Sequence, residues 1–180
     1  MAASNQSNLG FRAMTWLFKL RDLLKPRGKV LAEVGLKPGD RVLDFGCGPG
    51  GYVRPAVKLI GPAGEYIALD VNRLAVKAVE NLAFKHGLNN VRTVRSGLKT
   101  GLPDASVDVA FLYDVFHAVS KPQAVLAELA RVLKPGGILS FSDHHLEDEQ
   151  AKAAVTGGGL FTFVSRGERV FTFAPARAAP

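Results

Sequence analysis

Four aspartates, a glycine-rich bend and three histidines supply the chemistry-bearing residue types of this chain. The bend is Val42-Leu43-Asp44-Phe45-Gly46-Cys47-Gly48-Pro49-Gly50-Gly51. Glycines at the end of an apolar run let the backbone turn tightly and let a flat ligand come within contact distance. Gly46, Gly48 and Gly51 also match the G-x-G-x-x-G spacing of dinucleotide-binding loops. Asp70 lies 24 residues after Gly46, where a carboxylate can accept both hydroxyls of a ribose. Its alternative use, shared with Asn72, is to cap the following helix. Tyr113, Asp114 and His117 follow one apolar run, and Asp143, His144 and His145 follow another. Histidine titrates near pH ~6.5, so His117 or His144 could serve as a general base. Two histidines with a carboxylate are also metal-ligand types. Neighbouring residues at a strand end point opposite ways, however, so one of His144 and His145 should face inward and the other water, and no metal site is expected. His86 ends a surface helix, and Cys47 fits the bend as a small side chain with no nucleophilic role.

These residues need a scaffold, and the apolar patterning describes one. Strands are expected at Arg41–Phe45, Glu65–Leu69, Val91–Val94, Val107–Tyr113 and Ile138–Ser142. Between them the spacing predicts helices at Tyr52–Ile60, Asn72–His86 and Pro122–Leu133, with Gly87 suited to a left-handed C-cap and Lys134-Pro135-Gly136-Gly137 to a turn. Alternating strands and helices imply right-handed crossovers and a parallel sheet covered on both faces. A short helix near Glu147–Val155 precedes Leu160–Val164 and Arg169–Phe173, which flank Ser165-Arg166-Gly167-Glu168 and read as an antiparallel hairpin. Upstream, helical spacing over Leu9–Leu24 predicts an amphipathic N-terminal helix, followed by a short one at Arg27–Val34. The expected organisation is an N-terminal helix over 1–25, one domain over 26–174 and a frayed tail over 175–180. Phe11, Trp16 and Phe18 are candidates for a lid over the site, with plain core as their alternative.

The glycine spacing leaves both a nicotinamide cofactor and S-adenosylmethionine open; the surrounding residues choose. From Gly35 to Phe173 the chain resembles the class I S-adenosylmethionine-dependent methyltransferases. Asp44-Phe-Gly46-Cys-Gly48-Pro-Gly50 matches their first motif, Asp104-Ala-Ser-Val107-Asp108 the entry to their fourth strand, and Leu133-Lys-Pro-Gly-Gly-Ile138 the turn before their fifth. The resemblance implies a Rossmann-like, doubly wound α/β fold with seven mostly parallel strands, the last forming an antiparallel hairpin. It implies S-adenosylmethionine as cofactor, with Asp44 at its methionine end. Gly46, Cys47, Gly48 and Gly50 would contact it along the bend, and Asp70 and Asn72 at the ribose. Val71, Gly97, Leu98 and Tyr113 complete the expected contacts. Gly97-Leu98 stands where many relatives carry Gly-Asp, which leaves the adenine amino group to Ser96 or a backbone carbonyl.

Absences narrow the rest. The Tyr-x-x-x-Lys pair of short-chain dehydrogenases is missing, since Tyr52, Tyr66 and Tyr113 are followed four residues later by Ala56, Asp70 and His117. Tyr113-Asp114-Val115-Phe116 is not the Asn/Asp-Pro-Pro-Tyr/Phe of amide and adenine methyltransferases, and no cysteine follows the fourth strand for covalent attack on cytosine. A small-molecule methyl acceptor is therefore expected, reached by in-line displacement in a dry, aligned site. The alternatives are an RNA or protein acceptor, or a domain that binds S-adenosylmethionine without catalysis. A net charge of +7 would suit RNA, but the basic residues are scattered apart from the group Arg12 to Lys29, so nucleic acid is not favoured. One cysteine, no signal-like N-terminus and no uninterrupted apolar run of membrane length point to a cytoplasmic protein without a span. Nothing in the sequence speaks to oligomeric state.

Overall fold

The computed structural model describes residues 27–176, so the expected N-terminal helix and its lid aromatics lie outside the described residues. The chain runs α1 (Arg27–Val34), β1 (Arg41–Phe45), α2 (Val53–Ile60), β2 (Glu65–Asp70), α3 (Arg73–His86), β3 (Val91–Arg95) and β4 (Val107–Tyr113). A 3-10 turn at Phe116–Ala118 leads to α4 (Pro122–Val132), β5 (Leu133–Ser142), α5 (Asp148–Thr156), β6 (Phe161–Arg166) and β7 (Phe171–Pro175). Because β1 and β4 are covered on both faces, they are near-continuous apolar runs rather than alternating ones. Val42, Tyr66, Ala68, Val109 and Phe111 pack with α1 and α2 on one face. Leu43, Ile67, Ala110 and Leu112 pack with α4 and α5 on the other.

The seven strands form one sheet in the order β3-β2-β1-β4-β5-β7-β6. The first five in that order are parallel, and β7 is antiparallel to both β5 and β6. The chain winds outward from β1 to β3, then returns to start β4 on the other side of β1. That reversal opens a crevice beyond the carboxyl ends of β1 and β4, where open sheets of this kind bind ligands. The Rossmann-like architecture expected from the sequence is therefore the one observed, hairpin included.

Three boundaries differ from expectation. Leu133 already pairs with Val107, so β5 begins where a turn was expected, and the ladder takes an irregularity between Val107 and Val109. A Cβ on Gly137 would stand 2.9 Å from the Asp108 carbonyl oxygen, so glycine is what lets Lys134–Gly137 lie flat against β4 instead of looping away. The hairpin turn sits two residues later than predicted: Arg166 pairs with Phe171, and the Gly167 amide donates to the Val170 carbonyl at 2.9 Å. The tail is held further than expected, because Pro175 pairs with Phe161 and the Ala176 amide donates to Leu160 at 2.8 Å. No helix among the described residues is long and apolar enough to cross a membrane.

Candidate active site

Asp44 is the penultimate residue of β1 and is 2% exposed. Its Oδ2 accepts a hydrogen bond of 2.5 Å from the Tyr66 hydroxyl, which rises from the neighbouring strand. Burial pushes the carboxyl up to about 6, against the opposing pull of the Tyr66 hydroxyl and the positive charge of Arg27. Sequence reasoning missed both partners. A tyrosine in the apolar run of a buried strand needs a partner for its hydroxyl, so Tyr66 carried a readable signal. Arg27 did not, since it read as one of a basic group. Its guanidinium lies 4.6 Å from the centre of the Tyr52 ring and packs against Gly51, where any side chain would collide with it.

This environment gives a testable pH dependence. A positive charge beside Asp44 favours its ionised form, so a cationic ligand held there must displace a proton once Asp44 is neutral. Cofactor affinity is expected to be level above about pH 7 and to fall toward tenfold per pH unit as pH drops below the Asp44 value of about 6. Calorimetry with S-adenosylmethionine from pH 5 to 8 checks this, and Asp44→Asn should flatten the profile.

The bend after β1 is tied to the end of β2. The Gly46 and Cys47 amides donate to the Leu69 carbonyl at 2.8 and 3.0 Å. Asp70 then bridges the two segments, its Oδ2 accepting from the Gly48 amide at 2.9 Å and its Oδ1 from the Asn72 amide at 2.8 Å. Burial pushes the Asp70 carboxyl up, partly offset by these amides. Asp70 is not the helix cap. That role falls to Asn72, whose Oδ1 accepts from the Leu74 amide at 2.9 Å. Beside them Val71 is 60% exposed, and Gly97 lies next to it, a Cβ there being 3.6 Å from the Val71 side chain. Leu98 is half-buried and packs on the core, its amide bonded to Ser96 Oγ at 3.2 Å. Cys47 is buried, which pushes its thiol up and leaves it protonated and inert. Tyr113 also lies in the core: it stacks on Phe111 and donates its hydroxyl to Ser140 at 2.7 Å.

The residues after β4 and β5 come together. Asp143 is buried, and its carboxylate accepts from the His117 amide at 2.9 Å and the His145 amide at 3.1 Å. His117 Nδ1 lies 2.9 Å from Asp143 Oδ2, and His144 Nδ1 lies 2.9 Å from Asp114 Oδ1. Burial alone would raise the Asp143 carboxyl, but the His117 amide and ring and the His145 amide hold it below the usual range. The expectation that one of His144 and His145 faces inward is corrected: both are exposed. Strand alternation stops at Ser142, and a turn closed by the Leu146 amide on the Asp143 carbonyl swings both rings outward. Each ring is centred 4.0 Å from the other, and His145 is also 4.0 Å from His117. This group borders the glycine bend, because the Val115 side chain fills the space where a Gly46 Cβ would go.

Known proteins resemble this chain in sequence and fold. A profile of the methyltransferase domain family matches residues 36–159. A sterol 24-C-methyltransferase of Gibberella zeae is 31% identical over 65% of this chain and 31% of its own. A demethylmenaquinone methyltransferase of Geobacillus kaustophilus is 30% identical over 69% of this chain and 54% of its own. The chain thus spans about a third to a half of the length of these relatives. The crystal structure of a SAM-dependent methyltransferase from Aquifex aeolicus superposes with a TM-score of 0.70 at 30% identity, covering 86% of this chain and 95% of that one. The [4+2]-cyclase SpnF is also similar, with a TM-score of 0.63 at 25% identity over 77% of this chain and 57% of its own.

Proposed function

Because the chain belongs to the class I S-adenosylmethionine-dependent methyltransferases, we propose that it transfers a methyl group to a small-molecule acceptor bound beyond the carboxyl ends of β4 and β5. When bound, the cofactor supplies a methyl carbon already activated by its sulfonium. The residues present suit such a ligand. Asp44 offers a buried negative charge to the cationic methionine end. Asp70 accepts from the Gly48 and Asn72 amides, and a carboxylate has about four lone-pair sites, enough to take ribose hydroxyls as well. Val71, Gly97 and Leu98 offer an apolar ledge for a flat ring, and Gly46, Cys47, Gly48 and Gly50 line the bend beside it. The observation that carries the reading is the Asp70 bridge: one carboxylate holds the glycine bend to the end of β2, the place where a ribose is proposed to bind.

On the acceptor side the protein's work is to align, to exclude water and to accept a proton. His117 donates Nδ1–H to Asp143, which leaves Nε2 free to receive a proton from the acceptor. His144 stands beside it on Asp114. A small acceptor is favoured over RNA by the pairing of cations among the described residues: Arg41 with Glu65, Arg131 with Glu128 and Asp104, Lys134 with Asp108, and Arg166 with Asp148. Among the described residues, these cations are thus neutralised locally rather than left for a phosphate backbone. The relatives that act on a sterol and on demethylmenaquinone support the same class of acceptor.

A fold shared with a cyclase makes consumption of the donor the decisive readout. Formation of S-adenosylhomocysteine is expected with a member of a panel of phenols, thiols and amines. Turnover confined to RNA, and falling steeply with salt, would overturn the small-molecule reading.

A further inference from the structure

We infer that Asp114, Asp143 and His144 form a site for one divalent first-row transition-metal ion at the carboxyl ends of β4 and β5. One oxygen from each aspartate and one imidazole nitrogen lie within 4.8 Å of one another. Donors that share an ion at about 2.0–2.2 Å stand roughly 3–4 Å apart, so small side-chain rotations close the set. The argument against a metal from strand alternation does not hold here. His144 lies in a turn, and its Nδ1 already points to the Asp114 carboxylate at 2.9 Å.

The two aspartates are fixed in advance. The Asp143 side chain is fully buried and is held by the amides of His117 and His145, with the His117 ring behind it. Hydrogen bonds of that kind orient ligating carboxylates in metal sites. Asp114 is held at φ +51°, a left-handed angle unusual outside glycine, while its amide donates to the Ser142 carbonyl at 2.8 Å. Both loops therefore aim oxygens at one place. Two carboxylates and an imidazole suit manganese, iron, cobalt or zinc, whereas magnesium and calcium take oxygen-only sets. Three protein ligands leave coordination positions open, and the His144 side chain is 62% exposed, so the open side can take water or an oxygen-bearing ligand.

The test is binding of Mn2+ to the full chain after dialysis against a chelator, read as loss of the free-ion electron paramagnetic resonance signal. One ion per chain is expected. Asp114→Asn and His144→Gln are each expected to weaken binding by about tenfold or more. His86→Gln, at the end of α3, should leave it unchanged. Neither target side chain is fully buried, and unaltered thermal unfolding of the two variants shows that the fold is kept. Absence of Mn2+ binding, or binding undiminished in both variants, overturns the inference. The inference stands apart from the methyl-transfer reading: a chain that binds Mn2+ yet never consumes S-adenosylmethionine would sink that reading and leave the metal site in place.

Discussion

Gly46→Ala is expected to weaken S-adenosylmethionine binding by roughly thirtyfold or more, from two separate costs of about 1–2 and 1–3 kcal/mol. The first is conformational. Gly46 sits at φ +84°, where a Cβ crowds the following carbonyl. The second is steric: the new methyl would lie 2.7–2.9 Å from all three side-chain carbons of Val115 that it meets. The chain relieves both by moving the bend off the Leu69 carbonyl, which now accepts the Gly46 and Cys47 amides. Binding must then restore the original shape, and the cost appears as lost affinity. Because the two costs have different origins, they separate by mutation. Val115→Ala in the Gly46→Ala background should recover the part of the steric cost due to the two Val115 methyls, leaving the contact with its Cβ at 2.9 Å and the backbone part. Calorimetry on the single and double variants measures this, and an unchanged affinity in Gly46→Ala would mean that the bend does not cradle the cofactor.

Asp70→Ala is expected to weaken the same ligand by about tenfold to a hundredfold, from loss of charge-assisted hydrogen bonds worth ~1.5–3 kcal/mol. Two effects act in the same direction. The ribose loses its acceptor, and the Gly48 and Asn72 amides lose the carboxylate that holds them 2.9 and 2.8 Å away. Asp70→Asn should also bind weakly, despite its similar shape. Each oxygen of the native group faces a backbone N–H, so an amide NH2 must oppose one of them whichever way it turns. Affinity equal to the native chain in both variants would remove Asp70 from the site.

What the sequence revealed of this site follows from how local each signal is. Asp44, the glycines and Asp70 lie where two apolar runs end, and ends of buried strands are legible from patterning alone. The Asp143–His117 pair was not legible as a pair, because it joins residues 26 apart through the register of β4 against β5. The outward turn of both His144 and His145 was misread by extending strand alternation one residue beyond Ser142, where the ladder stops. Lys134–Gly137 misled in the opposite sense. Proline and glycines usually announce a loop, yet here Gly137 gives the close approach that β5 needs beside the Asp108 carbonyl. The Tyr66–Asp44 bond was available in principle to anyone asking where a buried hydroxyl finds its acceptor.

The bend after β1, held by Asp70, is proposed to take S-adenosylmethionine rather than a nicotinamide dinucleotide. Calorimetric titration of the full chain with the two ligands in parallel tests it most directly. One S-adenosylmethionine per chain is expected, with no heat of binding from NAD at the same concentration. Saturable NAD binding, with none of S-adenosylmethionine, would contradict it.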